Sequence, residues 1–182
     1  MPDRIGRVAL AIAAIVVSGA VSAAERYDLG RPAAPAEIAG WDIDASPSGA
    51  GLPPGHGDVR QGEAIFAAKC ASCHGAHGEG KPMDRLVGGI GTLHDKKPEK
   101  TVGSFWPYAT TLFDFVRRAM PLNAPQSLTP DEVYAVSAYV LFLNGIVTQD
   151  TILDADTLAK IKMPNRDGFV SAYPTPSASA KR

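Results

Sequence analysis

One five-residue run constrains this chain more than any other: Cys70-Ala71-Ser72-Cys73-His74, a C-x-x-C-H motif that holds the only two cysteines in 182 residues. Two thiols at this spacing can each form a thioether to one porphyrin, and the adjacent imidazole is then placed to ligate its iron. A redox dithiol would not need the histidine, and it usually sits in an alternating strand and helix pattern. A zinc site would need two more ligands at finger-like spacing. The sequence meets neither requirement, so the reading is one covalently attached haem c. That consumes both thiols, and no disulfide is expected.

Export agrees with this chemistry. Arg4 and Arg7 precede an uncharged run at residues 8–21, and Val21-Ser22-Ala23 carries small residues where a signal peptidase reads. Residues 1–23 are therefore expected to be a signal peptide, with an uncleaved anchor as the alternative, and the mature chain is expected in the periplasm. A bilayer-spanning helix needs about 20 apolar residues, and no other stretch approaches that, so no membrane span is expected in the mature chain. Losing Asp3, Arg4 and Arg7 turns 18 basic and 19 acidic side chains into 16 and 18, a net charge of −2. Without a basic surplus to displace counterions, nucleic acid is excluded as the partner.

Residues 24–57 read as an irregular N-terminal extension. Pro32, Pro35, Pro47, Pro53 and Pro54, with Gly49, Gly51, Gly55 and Gly57, prevent a long helix or a central strand. Tyr27, Ile38, Trp41 and Ile43 are too apolar for a solvated linker, and they pack either on the chain's own domain or on a partner.

The domain proper is expected at 58–146. Asp58 is a good N-cap for a helix over 58–70, in which Val59, Gly62, Ile65 and Phe66 share one face. Glycine in a helix interior costs about 1 kcal/mol against alanine, so Gly62 implies the close approach of a second helix. The partner helix starts at Thr129-Pro130-Asp131-Glu132, a capping box with proline in the first turn. It buries Val133, Val136, Tyr139, Val140 and Leu143, and it ends at Asn144-Gly145. A third helix is expected with Thr111 as N-cap and Asp114 at N3, burying Leu112, Phe115, Val116 and Ala119 just before Met120-Pro121.

These residues together resemble a class I cytochrome c, which implies an all-α fold of three to five helices around one haem. In that family the histidine of the motif is the proximal ligand and a downstream methionine the distal one. The resemblance thus implies His74 on one side of the iron. For the other side the chain offers Met83, Met120, Met163, His56, His77 and His94. His77 and Met83 follow His74 too closely to reach the opposite haem face without an abrupt reversal. Met120 lies 46 residues downstream, at a helix exit fixed by proline, and is the candidate. Met83 and Met163 read as packing residues. His/Met ligation raises the potential relative to His/His and suits an electron acceptor.

The loop between motif and methionine carries Gly75, Gly78, Gly80, Gly88, Gly89 and Gly91, which let backbone approach the porphyrin. No phosphate-cradle pattern occurs in a strand-to-helix context. By the same resemblance, Pro82 is expected to supply the carbonyl that accepts the His74 Nδ1 proton. Phe105, Trp106 and Tyr108 read as a wall of the haem pocket. Arg117 and Arg118 are either a steering site for an acidic partner or a solvated helix end.

The run from Thr101 through Phe105-Trp106-Pro107-Tyr108 to Arg117-Arg118-Ala119-Met120-Pro121, with Asn123-Ala124-Pro125-Gln126-Ser127-Leu128, narrows the likeness. It is similar to the cytochrome subunits of bacterial sulfane and sulfite dehydrogenases, the SoxD group of the Sox sulfur-oxidation system. Gly40-Trp41-Asp42-Ile43-Asp44, Gly51-Leu52-Pro53-Pro54-Gly55 and Lys162-Met163-Pro164-Asn165-Arg166-Asp167-Gly168-Phe169 resemble the same group. Some members carry a second haem domain, whereas this chain has one motif. The resemblance implies Cys70 and Cys73 as thioether sites and His74 and Met120 as axial ligands. It also implies a chain with no catalysis of its own, which accepts electrons from a molybdenum-containing sulfur dehydrogenase subunit and passes them to a soluble cytochrome c. A free-standing electron carrier and a haem protein with an open iron site are the alternatives. Residues 147–182 read as a C-terminal extension with a short helix near 156–161 and a disordered tail from Tyr173. Ile161 and Phe169 either fold back on the domain or clasp a partner.

Overall fold

The computed structural model describes residues 30–173. Residues 1–23, expected as a signal peptide, Tyr27 and the tail beyond Tyr173 lie outside the described residues. The chain divides into two compact units, Met1–Ile38 and Ala39–Arg182. In the first, Arg31 forks onto Glu37, whose carboxylate also accepts the Ala34 N–H, and helix α1 (Pro35–Trp41) begins there. None of the α1 residues is buried, and Trp41 is 88% exposed.

The second unit is mainly helical. Strand β1 (His56–Asp58) runs into α2 (Val59–Lys69), then α3 (Ala71–His74), a 3-10 turn at Thr92–His94, α4 (Val102–Phe105), α5 (Ala109–Ala119), α6 (Pro130–Leu143), strand β2 (Ile152–Asp154) and α7 (Ala155–Leu158). Five helices therefore fall between residues 58 and 146, as expected. The two strands were not expected. They pair antiparallel, His56 opposite Asp154 and Asp58 opposite Ile152. Each ends on an aspartate that caps the helix behind it, Asp58 with Gln61 and Asp154 with Thr157, so one residue closes a strand and starts a helix.

The crossing of α2 and α6 follows the glycine. A Cβ on Gly62 would fall on the Ala135 carbonyl and lie 2.8 Å from Tyr139 Cβ, and the Phe66 and Tyr139 rings meet at 5.3 Å. Thr129, Pro130 and Glu132 start α6 as anticipated. Its burial goes further than one face: Val133 through Leu141 are all buried, so α6 is the centre of the unit, with Leu143 only partly covered.

Helix α5 corrects the sequence reading. It begins two residues before Thr111, with Tyr108 at the N-cap position, so Asp114 sits mid-helix and is buried. The residue driven into the core is Phe113, fully buried and 4.4 Å from the Tyr134 ring, whereas Phe115 is 44% exposed and leans edge-on against Trp106. The buried stripe runs through Ala109, Leu112, Phe113 and Val116, at spacings of three and four, which leaves Phe115 off it.

The C-terminal segment folds back on this unit. Leu153, Leu158 and Met163 are buried in the core, and Ile161 packs against it. Asn165 Nδ2 donates to the Phe105 carbonyl at 2.7 Å, the Arg166 guanidinium lies 4.3 Å from the Tyr108 ring centroid, and Phe169 meets Phe105 edge-on at 5.2 Å. The short helix there begins at Ala155, one residue earlier than expected, because Asp154 caps it.

Candidate haem site

Cys70 is the hinge between two helices. It caps the C-terminus of α2 through its N–H to the Phe66 carbonyl, 2.8 Å, and its own carbonyl accepts from Cys73 and His74 at 3.1 and 3.0 Å. One helical turn therefore separates Cys70 from Cys73 and puts both thiols on one side, with His74 following. Both thiols are free and half-buried. Burial pushes the Cys70 thiol up to about 11, against a smaller opposing effect from Lys69. A thiol held neutral at pH 7 is a poor redox nucleophile. Among the described residues no group of three or more His, Cys, Asp or Glu side chains could hold a bare metal ion, so the pair lacks the further ligands of a zinc site.

The loop behind the motif closes over it. Gly80 N–H reaches the His74 carbonyl at 2.7 Å, Met83 N–H the Cys73 carbonyl at 2.9 Å, and Leu86 N–H the Gly78 carbonyl at 2.8 Å. Gly78 and Gly80 take positive φ and are buried, which allows this tight return. The return delivers the carbonyl of Asp84, not that of Pro82, to His74 Nδ1 at 2.8 Å. Donation from Nδ1 to that carbonyl fixes the imidazole as the Nδ1–H tautomer, and it leaves the Nε2 lone pair for a metal.

Asn144, read from sequence only as a helix stop, is a structural centre of the loop. Its Oδ1 accepts the Gly88 N–H at 3.1 Å, and its Nδ2 donates to the Leu86 and Val140 carbonyls at 3.2 and 2.9 Å. Thr101 Oγ1 adds a bond to the Gly88 carbonyl at 2.6 Å. No local pattern flags Asn144 for this role, because its partners in the loop lie 56 and 58 residues away.

Met120 sits at the C-cap of α5, its N–H on the Val116 carbonyl at 3.0 Å, half-buried and packed against the core. Of the alternative ligands, Met163 is buried as a packing residue and Met83 is 45% exposed. Trp106 packs on the core, whereas Phe105 and Tyr108 are engaged by Phe169 and Arg166 of the C-terminal segment. The donor set suits a haem c: two thiols one turn apart, an imidazole with a fixed tautomer, and a thioether at a helix exit.

Fold and donor set define a protein of the c-type haem, electron-transferring class. The sequence model of the family described as cytochrome c matches residues 59–144. Cytochrome c-L of Methylorubrum extorquens is 33% identical over 115 residues, which are 62% of this chain and 53% of that one. The chain thus spans about half the length of this curated relative. A chain in the crystal structure of the sulfane dehydrogenase SoxCD from Paracoccus pantotrophus is 43% identical and superposes with a TM-score of 0.76, covering 86% of this chain and 76% of that one. This chain belongs to the cytochrome c family, as a class I cytochrome c resembling the SoxD cytochrome. No helix among the described residues is long and apolar enough to cross a membrane.

Proposed function

We propose that this chain is the periplasmic monohaem electron-transfer subunit of a molybdenum-containing sulfur dehydrogenase, and that it hands electrons to a soluble cytochrome c. The observation that carries the proposal is the reach of the SoxCD likeness. At 86% of the chain it extends well beyond residues 59–144, so it includes extension sequence outside the stretch that the cytochrome c family model matches.

In this reading Cys70 and Cys73 would hold the porphyrin as thioethers, and His74 Nε2 and Met120 Sδ would ligate its iron. The haem, when bound, supplies a one-electron couple at iron. The Asp84 carbonyl orients His74 and makes it a stronger donor. Asn144 and Thr101 hold the glycine loop in place, and α5 presents Met120. With His74 and Met120 both ligating the iron, the chain would offer no open metal site for a substrate, and oxidation of sulfur would belong to the partner.

Isolation of the native protein tests this. A molybdenum subunit is expected to co-purify, and mixing the complex with a sulfane-sulfur substrate should reduce the haem at the turnover rate. Isolation of the haem protein alone, with no reduction when the molybdenum subunit and substrate are added, would make it a free-standing carrier.

A further inference from the structure

Residues 43–53 are fixed at both ends to the helices around Met120. At one end Arg117 Nη1 donates to the Ile43 carbonyl at 2.8 Å, and the Ala45 N–H donates to Asp114 Oδ1 at 2.8 Å. Asp114 is buried, and the rest of its carboxylate is held by the fork of Arg118. At the other end Tyr134 Oη donates to the Pro53 carbonyl at 2.8 Å, and Tyr134 packs on Phe113 of α5. The stretch between is folded tightly on itself. Ser46 N–H reaches the Ala50 carbonyl at 2.8 Å, and Gly51, at φ +86, passes so close to the Asp44 carbonyl that a Cβ would collide with it.

Asp114 and Arg117 stand on the last two turns of α5, six and three residues before Met120. The final turn of a helix lacks onward hydrogen bonds and frays first. A donor and an acceptor two residues apart on the strap, each met by a charged side chain of α5, restrain both the rotation and the slide of that turn.

We infer that residues 43–53 are a strap that positions the sixth ligand, with Asp114 and Arg117 as positioning residues for the Met120 thioether. The inference rests on Met120 being that ligand, as proposed above. Loosening the strap lets the last turn of α5 fray, so the thioether leaves the iron more often while the haem stays attached through Cys70 and Cys73.

The test titrates the oxidised full-length holoprotein with imidazole at neutral pH, because imidazole captures the iron only when the methionine is off. The wild type should show the near-infrared-edge charge-transfer absorption of a Met–Fe(III) bond and bind imidazole weakly. Arg117→Leu should bind imidazole about tenfold more tightly, in line with the loss of one charge-assisted hydrogen bond, with covalent haem and far-ultraviolet circular dichroism unchanged. Arg117→Lys should fall between the two. Tyr134→Phe, which releases the far end and leaves the charged side chains of α5 intact, should shift the affinity in the same direction. A lower unfolding midpoint with unchanged imidazole affinity in these variants would overturn the strap and leave the ligand standing. A wild type without the absorption band, binding imidazole as tightly as the variants, would overturn the ligand and the strap with it.

Discussion

The Asn144 side chain makes three hydrogen bonds, two of which join the glycine loop to the end of α6. Asn144→Leu leaves the Gly88 N–H and the Leu86 carbonyl without these partners, at about 1–3 kcal/mol for each group left buried and unpaired. The urea midpoint should fall accordingly with little change in slope. Glu132 is a second such residue. Its carboxylate accepts the Thr129 N–H and pairs with Lys69, and these hold its pKa below the ordinary 4.5. A lowered carboxylate stabilises the fold fully above its unfolded value and loses that contribution as pH falls through the folded one. Stability of the wild type should therefore drop as pH falls below 4.5, and Glu132→Gln, which keeps the cap but not the charge, should flatten part of that drop in urea titrations across the acid range. The sequence could nominate Cys70, Cys73 and His74 and place Met120 at a helix exit, because a five-residue motif and a proline that stops a helix are local patterns. Asp84 as the partner of His74 was not legible, since a backbone carbonyl carries no residue signature and the turn that delivers it depends on the whole glycine loop.

The close crossing of α2 and α6 hangs on one missing methyl group. Helix propensity alone would make Gly62→Ala favourable by about 1 kcal/mol. The Ala135 carbonyl occupies the space the new Cβ would need, and overpacking of this kind costs about 1–3 kcal/mol, so the net effect should be destabilising. Equilibrium urea unfolding of the variant reads the sign directly. Helices α2 and α6 were readable from capping residues and apolar spacing. For α5 the tempting cap at Thr111 lost to an earlier start, because a first turn that buries Ala109 and Thr110 outweighs a single N-cap worth about 1 kcal/mol. The strands were invisible for a different reason: three residues are too few to show alternation, and each finds its partner almost a hundred residues away.

The unit from Ala39 onward is completed by sequence on both sides of the haem-binding stretch. Residues 43–53 brace α5 and α6, and residues 152–163 contribute Leu153, Leu158 and Met163 to the core. Met163→Ala should cost about 2–5 kcal/mol, the range for a large buried side chain, and lower the thermal midpoint even though the residue lies far from the motif in sequence. The sequence left open whether these segments serve the domain or a partner, and Ile161, Met163, Asn165 and Arg166 resolve toward the domain. Trp41 faces solvent, and a single exposed aromatic does not define a partner surface.

The proposed function depends throughout on an iron held on both sides by the protein. Carbon monoxide binding to the reduced holoprotein tests this most directly. The wild type is predicted to take up carbon monoxide poorly, and Met120→Ala to take it up readily with the haem still covalently attached. Ready uptake by the wild type, with no change on replacing Met120, would contradict a protein-filled sixth position.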